Sequence, residues 1–209
     1  MPARPDPPAA GGRSRANGKS GARPVKLSRE VIVNAALNFL DREGWDALTI
    51  NALANQLGTK GPSLYNHVDS LSDLRRAMRM RVINDLLEML TQVGKGRAGD
   101  DAVLAMAGAY RSYAHHHPGR YSAFTRMPLG GEDPEYTAAA TRAAAPVIEV
   151  LAAYGLDGDR AFYVALEFWA AMHGFVLLEM TGVMDDVDTE AVFADMVRRL
   201  AAGMNSRAG

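Results

Sequence analysis

Eleven residues in the first third of the chain, GTKGPSLYNHV (58–68), gather ammonium, hydroxyl, phenol, amide and imidazole groups around two glycines and a proline. That inventory suits a polyanion better than it suits bond-breaking chemistry. Lys60 supplies charge, while Thr49, Thr59 and Ser63 supply hydroxyls. The Tyr65 phenol fits a phosphate oxygen, and Ser63, Asn66 and His67 carry groups able to meet base edges or backbone, asparagine pairing best with adenine. Thr59 to Gly61 read as a turn, and Pro62 suits the first position of a helix whose free N–H groups would face an anion. A polar surface helix of any helical protein would show the same residues, so the elements around them must decide.

A second constellation lies in AYRSYAHHHPGRYSAF (109–124). His115, His116 and His117 are consecutive, and neighbouring helical positions point about 100° apart. They therefore cannot converge on one ion, whereas a zinc site wants i, i+4 spacing and a further ligand from elsewhere. Helix capping or solvent exposure accounts for the run, and a metal-dependent helical enzyme on His115–His117 is the alternative. Cysteine is absent, as are HExxH and GxSxG motifs. GKGRAG (94–99) lacks the preceding strand and the GK[ST] ending of a phosphate loop. No catalytic residue, metal or cofactor is assigned.

The elements that would position the polar cluster are helical. Ser28 reads as an N-cap, with Ile32, Ala35, Ala36, Phe39 and Leu40 on one face and Gly44 as the stop. Thr49 caps a second short helix that buries Ile50, Leu53, Ala54 and Leu57, and Gly58 closes it. Two short helices joined by a tight glycine-containing turn form a helix-turn-helix pattern, buttressed by the first helix. A longer helix from about Leu71 to Leu90 carries the stripe Leu71, Leu74, Met78, Val82 and Leu86, with Arg75, Arg76 and Arg79 expected on its other side. Helices are then expected over 101–116, from Pro118 to about Met127, over 135–153 with a kink or break at Pro146, over 160–181 and over 189–203. No repeat and no strand-like alternation is present. The fold class is all-α, with about nine helices.

Charge separates the two parts. Residues 1–82 hold 13 Lys and Arg against 7 Asp and Glu, a net of +6, and residues 83–209 hold 10 against 17, a net of −7. Only the first part is suited to a polyanion. Residues 1–26 are rich in Pro, Gly, Ala and basic residues, lack the apolar core of a secretion signal, and read as a disordered arm. Arg13, Arg15, Lys19, Arg23 and Lys26 would let that arm enter a minor groove; a solubilising tail is the alternative. The expectation is a cytoplasmic protein with no membrane span, because FYVALEFWAAMHGFVLL (162–178) is short and contains Glu167 and His173.

LTINALANQLGTKGPSLYNHVDSLSDL (48–74) resembles the DNA-binding signature of the tetracycline-repressor (TetR) family: a Leu-Thr entering the second helix, a Leu-Ala pair within it, a glycine before the turn and Leu-Tyr-x-His ending the third. The resemblance implies a DNA-binding domain at 27–72 and a variable ligand-binding and dimerisation domain at 73–205. It also implies a ligand-responsive regulator, most simply a repressor, that binds a palindromic operator in double-stranded DNA as a homodimer. An activator of the same fold is the alternative. Thr49, Lys60, Pro62, Ser63, Tyr65, Asn66 and His67 match positions where relatives touch DNA, and Thr59 and Gly61 complete the candidate set. One departure is Leu71, where many relatives have a polar phosphate contact; Arg75 is the candidate substitute.

For the effector, the candidates are Tyr110, Tyr113, Phe124 and Met127 on the fifth and sixth helices, and Phe168, Trp169, Met172 and His173 on the long one. Aromatic and methionine side chains with one or two polar atoms fit a small, largely apolar molecule. FWAAMHGF (168–175) also resembles the Trp-His-Gly signature of one C-terminal subgroup, with Met172 in place of Trp. Ala170, Ala171 and Gly174 would permit close approach of a second copy, with the final helix completing a four-helix interface.

Overall fold

The computed structural model describes residues 26–126 and 133–206, and every regular element among them is helical. The basic arm, apart from Lys26, and Met127 lie outside the described residues.

Helix α1 (Arg29–Glu43) starts where the Ser28 hydroxyl accepts the Val31 N–H at 3.2 Å, and it stops at Gly44. α2 (Ile50–Gln56) is capped by Thr49, α3 (Gly61–Leu64) is a single turn, and α4 (Leu71–Gly94) is capped by Ser70. α5 (Gly99–His116), α6 (Pro118–Thr125), α7 (Pro134–Leu151), a short 3₁₀ turn (Ala152–Tyr154), α8 (Gly158–Met180) and α9 (Thr189–Ser206) complete the chain. Their apolar faces merge into one contiguous core running from Ile32 to Met204. Burial of this kind holds short helices in place where propensity alone would not.

α4 links the two ends of the molecule. Its first turns pack on α1, and its remainder packs against α5, α6 and α7. α6 also lies directly on α1, because Gly119 allows the two backbones to meet: a Cβ there would overlap the backbone of Leu40 and Asp41. Beside it, Arg120 donates through its backbone N–H and Nε to Asp41 at 2.9 and 2.8 Å. At the other end, Arg111 of α5 meets Glu179 of α8 and Glu190 of α9, tying three helices together.

Three expectations need correction. Arg79 is buried, only 5% exposed, with its guanidinium 3.7 Å from the centre of the Tyr136 ring, so it belongs to the α4–α7 contact and not to an outer face. Of the kink or break expected at Pro146, the break is absent: α7 continues through it, since loss of one N–H is tolerated where the surrounding helices hold the backbone. Pro62 is the second residue of α3, with Gly61 the first and Lys60 the cap.

Candidate nucleic-acid interface and effector cavity

The α2–α3 unit sorts its side chains cleanly. Leu53, Leu64 and Val68 are buried, while Thr49, Lys60, Pro62, Tyr65 and Asn66 are exposed and Thr59, Ser63 and His67 are half-buried. Thr49 spends its hydroxyl on capping, accepting the Ala52 N–H at 3.1 Å. Gly58 has φ +66°, a conformation few other residues adopt, and so turns the chain between the helices. Gly61 is itself buried: a Cβ there would stand 2.8 Å from Asn51 Oδ1, so a larger residue would require that exposed side chain to turn aside.

Because α3 ends at Leu64, Tyr65, Asn66 and His67 are carried on the turn that continues it. This turn is pinned from behind. Arg29 donates to the His67 carbonyl at 3.3 Å and, through both terminal nitrogens, to the Asp73 carboxylate at 2.7 and 2.6 Å. Asp73 also accepts the Asp69 N–H at 3.1 Å. The hydrogen bond from Arg29 holds the Asp73 carboxyl below its usual range. Neither residue was among the sequence candidates, although Arg29 and Asp73 stand at the starts of α1 and α4, where position rather than residue type determines the role. Arg75, the candidate phosphate contact, lies over the Trp45 ring at 4.7 Å and is held to the protein's own surface.

In the C-terminal region, α4, α5, α6, α7 and α8 enclose a cavity of about 350 Å³. Tyr110, Phe124, Phe168, Trp169 and Met172 line it as the sequence suggested. Tyr113 does not: its ring sits 5.1 Å from that of His117, its hydroxyl is buried without a hydrogen-bond partner, and burial pushes that hydroxyl up. Its position on α5 turns it towards the α1–α4–α6 junction. His173 is also outside the lining, stacked on Trp169 with ring centres 5.0 Å apart. It forms the layer behind the wall, with Nδ1 2.7 Å from the Tyr121 hydroxyl and 3.4 Å from that of Tyr110. Burial lowers the His173 pKa, which favours the neutral ring, and burial raises that of Tyr110 to about 12.

Sequence reasoning missed the wall formed by α7. Tyr136, Thr137, Ala140, Thr141, Ala144 and Val147 face the cavity, and their spacing of three and four was legible. Small residues on a helix face that larger ones could fill were the available signal. The three histidines go separate ways: His115 Nε2 lies 3.1 Å from Glu179, His116 Nδ1 2.8 Å from the Ser112 carbonyl, and His117 Nδ1 3.4 Å from Asp41. Among the described residues no cluster of three His, Asp or Glu is arranged to hold a metal ion.

Comparison with known proteins agrees with this architecture. Residues 103–200 match the family described as tetracyclin repressor-like, C-terminal domain. A helix-turn-helix-type transcriptional regulator of Mycobacterium tuberculosis, itself uncharacterized, is 77% identical over 209 residues, covering 99% of this chain and 96% of the relative. The class D tetracycline repressor of Escherichia coli is 38% identical over 59 residues, 28% of this chain and 27% of that protein. Among solved structures, a TetR variant of Acinetobacter baumannii in complex with minocycline superposes with a TM-score of 0.66 at 21% identity, covering 88% of this chain and 99% of that one. With the α2–α3 unit, the shared helical order and a relative matched nearly end to end, the chain belongs to the TetR family of helix-turn-helix transcriptional regulators.

Proposed function

We propose that this regulator is a cytoplasmic homodimeric repressor that binds a near-palindromic operator and is released by a small, largely apolar effector. In this reading residues 27–72 face DNA and residues 73–205 bind the effector and the second copy. Ser63, Asn66 and His67 would meet the major groove, with Thr49, Lys60 and Tyr65 at the phosphates and Thr59, Gly61 and Pro62 shaping the turn between them, on half-sites about one helical turn or a multiple apart. The minocycline complex of the A. baumannii neighbour supports a small-molecule effector. An activator with the same site is the second reading, since groove recognition does not set the sign of regulation. Nothing assigns a reaction to any residue.

The observation that carries the proposal is the cavity's choice of walls. Ile83, Leu86 and Leu90 lie on α4, whose first turn holds Asp73, and Phe124 lies on α6, which Gly119 and Arg120 seat on α1. An occupant that presses on either wall presses on a helix touching the DNA-binding end. It shifts the equilibrium only by its differential affinity for the two arrangements.

Self-association rests on α8. Phe162, Tyr163, Leu166, Trp169 and Leu178 are 36–60% exposed, and Ala170 and Gly174 are exposed beside them. This helix is long and apolar enough to cross a membrane by length and composition. Its other face is core, however, with Val164, Phe168, Met172 and Val176 buried against its own domain. A second copy is the occupant that suits a one-sided apolar face.

The test is selection of binding sites from random duplex DNA at near-physiological salt, because charge alone mimics binding at low salt. An enriched inverted repeat bound by a dimer is the expected result. No enrichment from a folded, ligand-free dimer would remove the proposal.

A further inference from the structure

The cavity says more about its guest than its size. Among the described residues, none of the nineteen that line it carries a charged side chain. The charges near its rim are engaged with one another: Arg76 holds Asp133 and Glu135, each at 2.7 Å. Arg79 is stacked on the Tyr136 ring and does not line the cavity. An ion entering here would give up its water and touch no charged side chain among the described lining residues. No triad of His, Asp or Glu among the described residues is placed to receive a metal chelate either.

The few polar groups are arranged by depth. Thr137 and Thr141 are exposed, as are Phe162 and Leu166 across from them, so the opening lies between the first half of α7 and the first half of α8. Both threonine hydroxyls donate into their own helix, to the Asp133 and Thr137 carbonyls at 3.2 and 2.9 Å. At the floor, Met106 and Met172 are 2% exposed and Tyr110 is 6% exposed. The Tyr110 hydroxyl meets the Trp169 indole, and it meets Tyr121 Oη and His173 Nδ1 both at 3.4 Å. That is well beyond the roughly 2.7–2.8 Å usual for a hydroxyl hydrogen bond. Tyr121 and His173 meanwhile satisfy each other at 2.7 Å. Tyr110 is thus a hydroxyl on the cavity floor whose contacts to Tyr121 and His173 are long enough for an acceptor on a guest to displace.

We propose that the effector is an uncharged, mainly hydrocarbon molecule that enters between α7 and α8 and presents one hydrogen-bond acceptor to the Tyr110 hydroxyl, with no metal ion. This rests on the reading of the cavity as the effector site, and it adds to that reading the charge, polarity and orientation of the guest. A volume of about 350 Å³ is at the lower end for small-molecule sites, which favours a slender chain or a compact ring system.

The test uses the full chain at about pH 7.5 with three probes of equal length, 1-decanol, decanoate and decylammonium, followed by calorimetry and thermal shift. Decanol should bind at least about ten-fold more tightly than either ion. Tyr110→Phe should weaken decanol about five-fold and leave the ions unchanged. Ala144→Phe should abolish decanol binding by filling the hollow, while thermal unfolding shows that the variant still folds. An ion that binds as well as decanol, or a need for a divalent metal, overturns the inference and leaves the cavity as an effector site. Undiminished decanol binding by Tyr110→Phe overturns the role given to that hydroxyl. Binding by no probe, or binding that survives Ala144→Phe, removes the effector-site reading as well.

Discussion

Around α3 the chain buries what it can. Leu53, Leu64 and Val68 are sealed beneath two short helices, and what remains outside is a row of polar tips. Between α4, α7 and α8 it does the reverse, enclosing a hollow whose lining is almost wholly hydrocarbon. The first region is defined by what it presents and the second by what it omits. A surface for DNA needs particular groups at fixed offsets on one local motif, since the partner's geometry is constant. A cavity is the residue of five helices failing to fill the space between them. No single segment encodes it.

Energetically, the two regions are predicted to fail in different ways. The largest loss should follow Arg111→Ala. It leaves Glu179, whose side chain is 5% exposed, without the guanidinium that grips it at 2.8 Å. About 3 kcal/mol of stability should disappear in urea titration, and α9 should lose hydrogen-exchange protection before α1 does. A loss below about 1 kcal/mol would show the tie among α5, α8 and α9 to be dispensable.

Gly119→Ala aims at the seam between the regions. The added carbon must push α6 off α1, at a cost of about 2 kcal/mol. If the regions communicate through this seam, effector-induced release from the operator should weaken in the variant beyond what its lost stability explains. Full release would confine communication to α4.

Smaller and purely local effects are expected on the DNA side. His67→Ala and Tyr65→Phe should weaken operator binding about ten-fold, each a loss of about 1–2 kcal/mol, with the unfolding midpoint within error of the parent because Tyr65 is 52% exposed. Normal affinity in both would end the assignment of this turn to the groove.

The smallest effect is a pH dependence on the cavity side. Burial lowers the His173 pKa from its ordinary 6.5, so the unfolded chain takes up a proton that the folded one refuses. Stability from this group is therefore complete above about pH 6.5 and declines as pH falls from there towards the lower folded value. His173→Gln should flatten that part of the profile; an unchanged profile would place the titration elsewhere.

Much of this contrast was already present in the sequence. Ser28, Thr49 and Gly44 announced α1 and α2 because caps are single-residue signals, and the turn and helix start within GTKGPSLYNHV were legible because Gly58 and Pro62 are equally local signals. The pinning of the turn after α3 by Arg29 and Asp73 was not legible, since they stand 44 positions apart and meet only when α1 and α4 fold together. Arg79 misled because its charge argued for an outer face, although it stands three positions before Val82 and seven before Leu86 of the α4 stripe, and α7 brings Tyr136 over it from 57 positions along the chain. The cavity was half legible: its aromatics stood out, but Tyr113 and His173 pass the same compositional test and were excluded only by which way their helices turn.

Phe162, Leu166 and Trp169 are each wall on one side and outer surface on the other. Heredity therefore cannot retouch them for one purpose alone: a replacement that suits a new guest also alters the face we assign to the second copy. The alanines of α7 carry no such double duty. Descendants of this chain that switch signals should carry their changes there first, at Ala140, Ala143 and Ala144, with the α8 trio left in place.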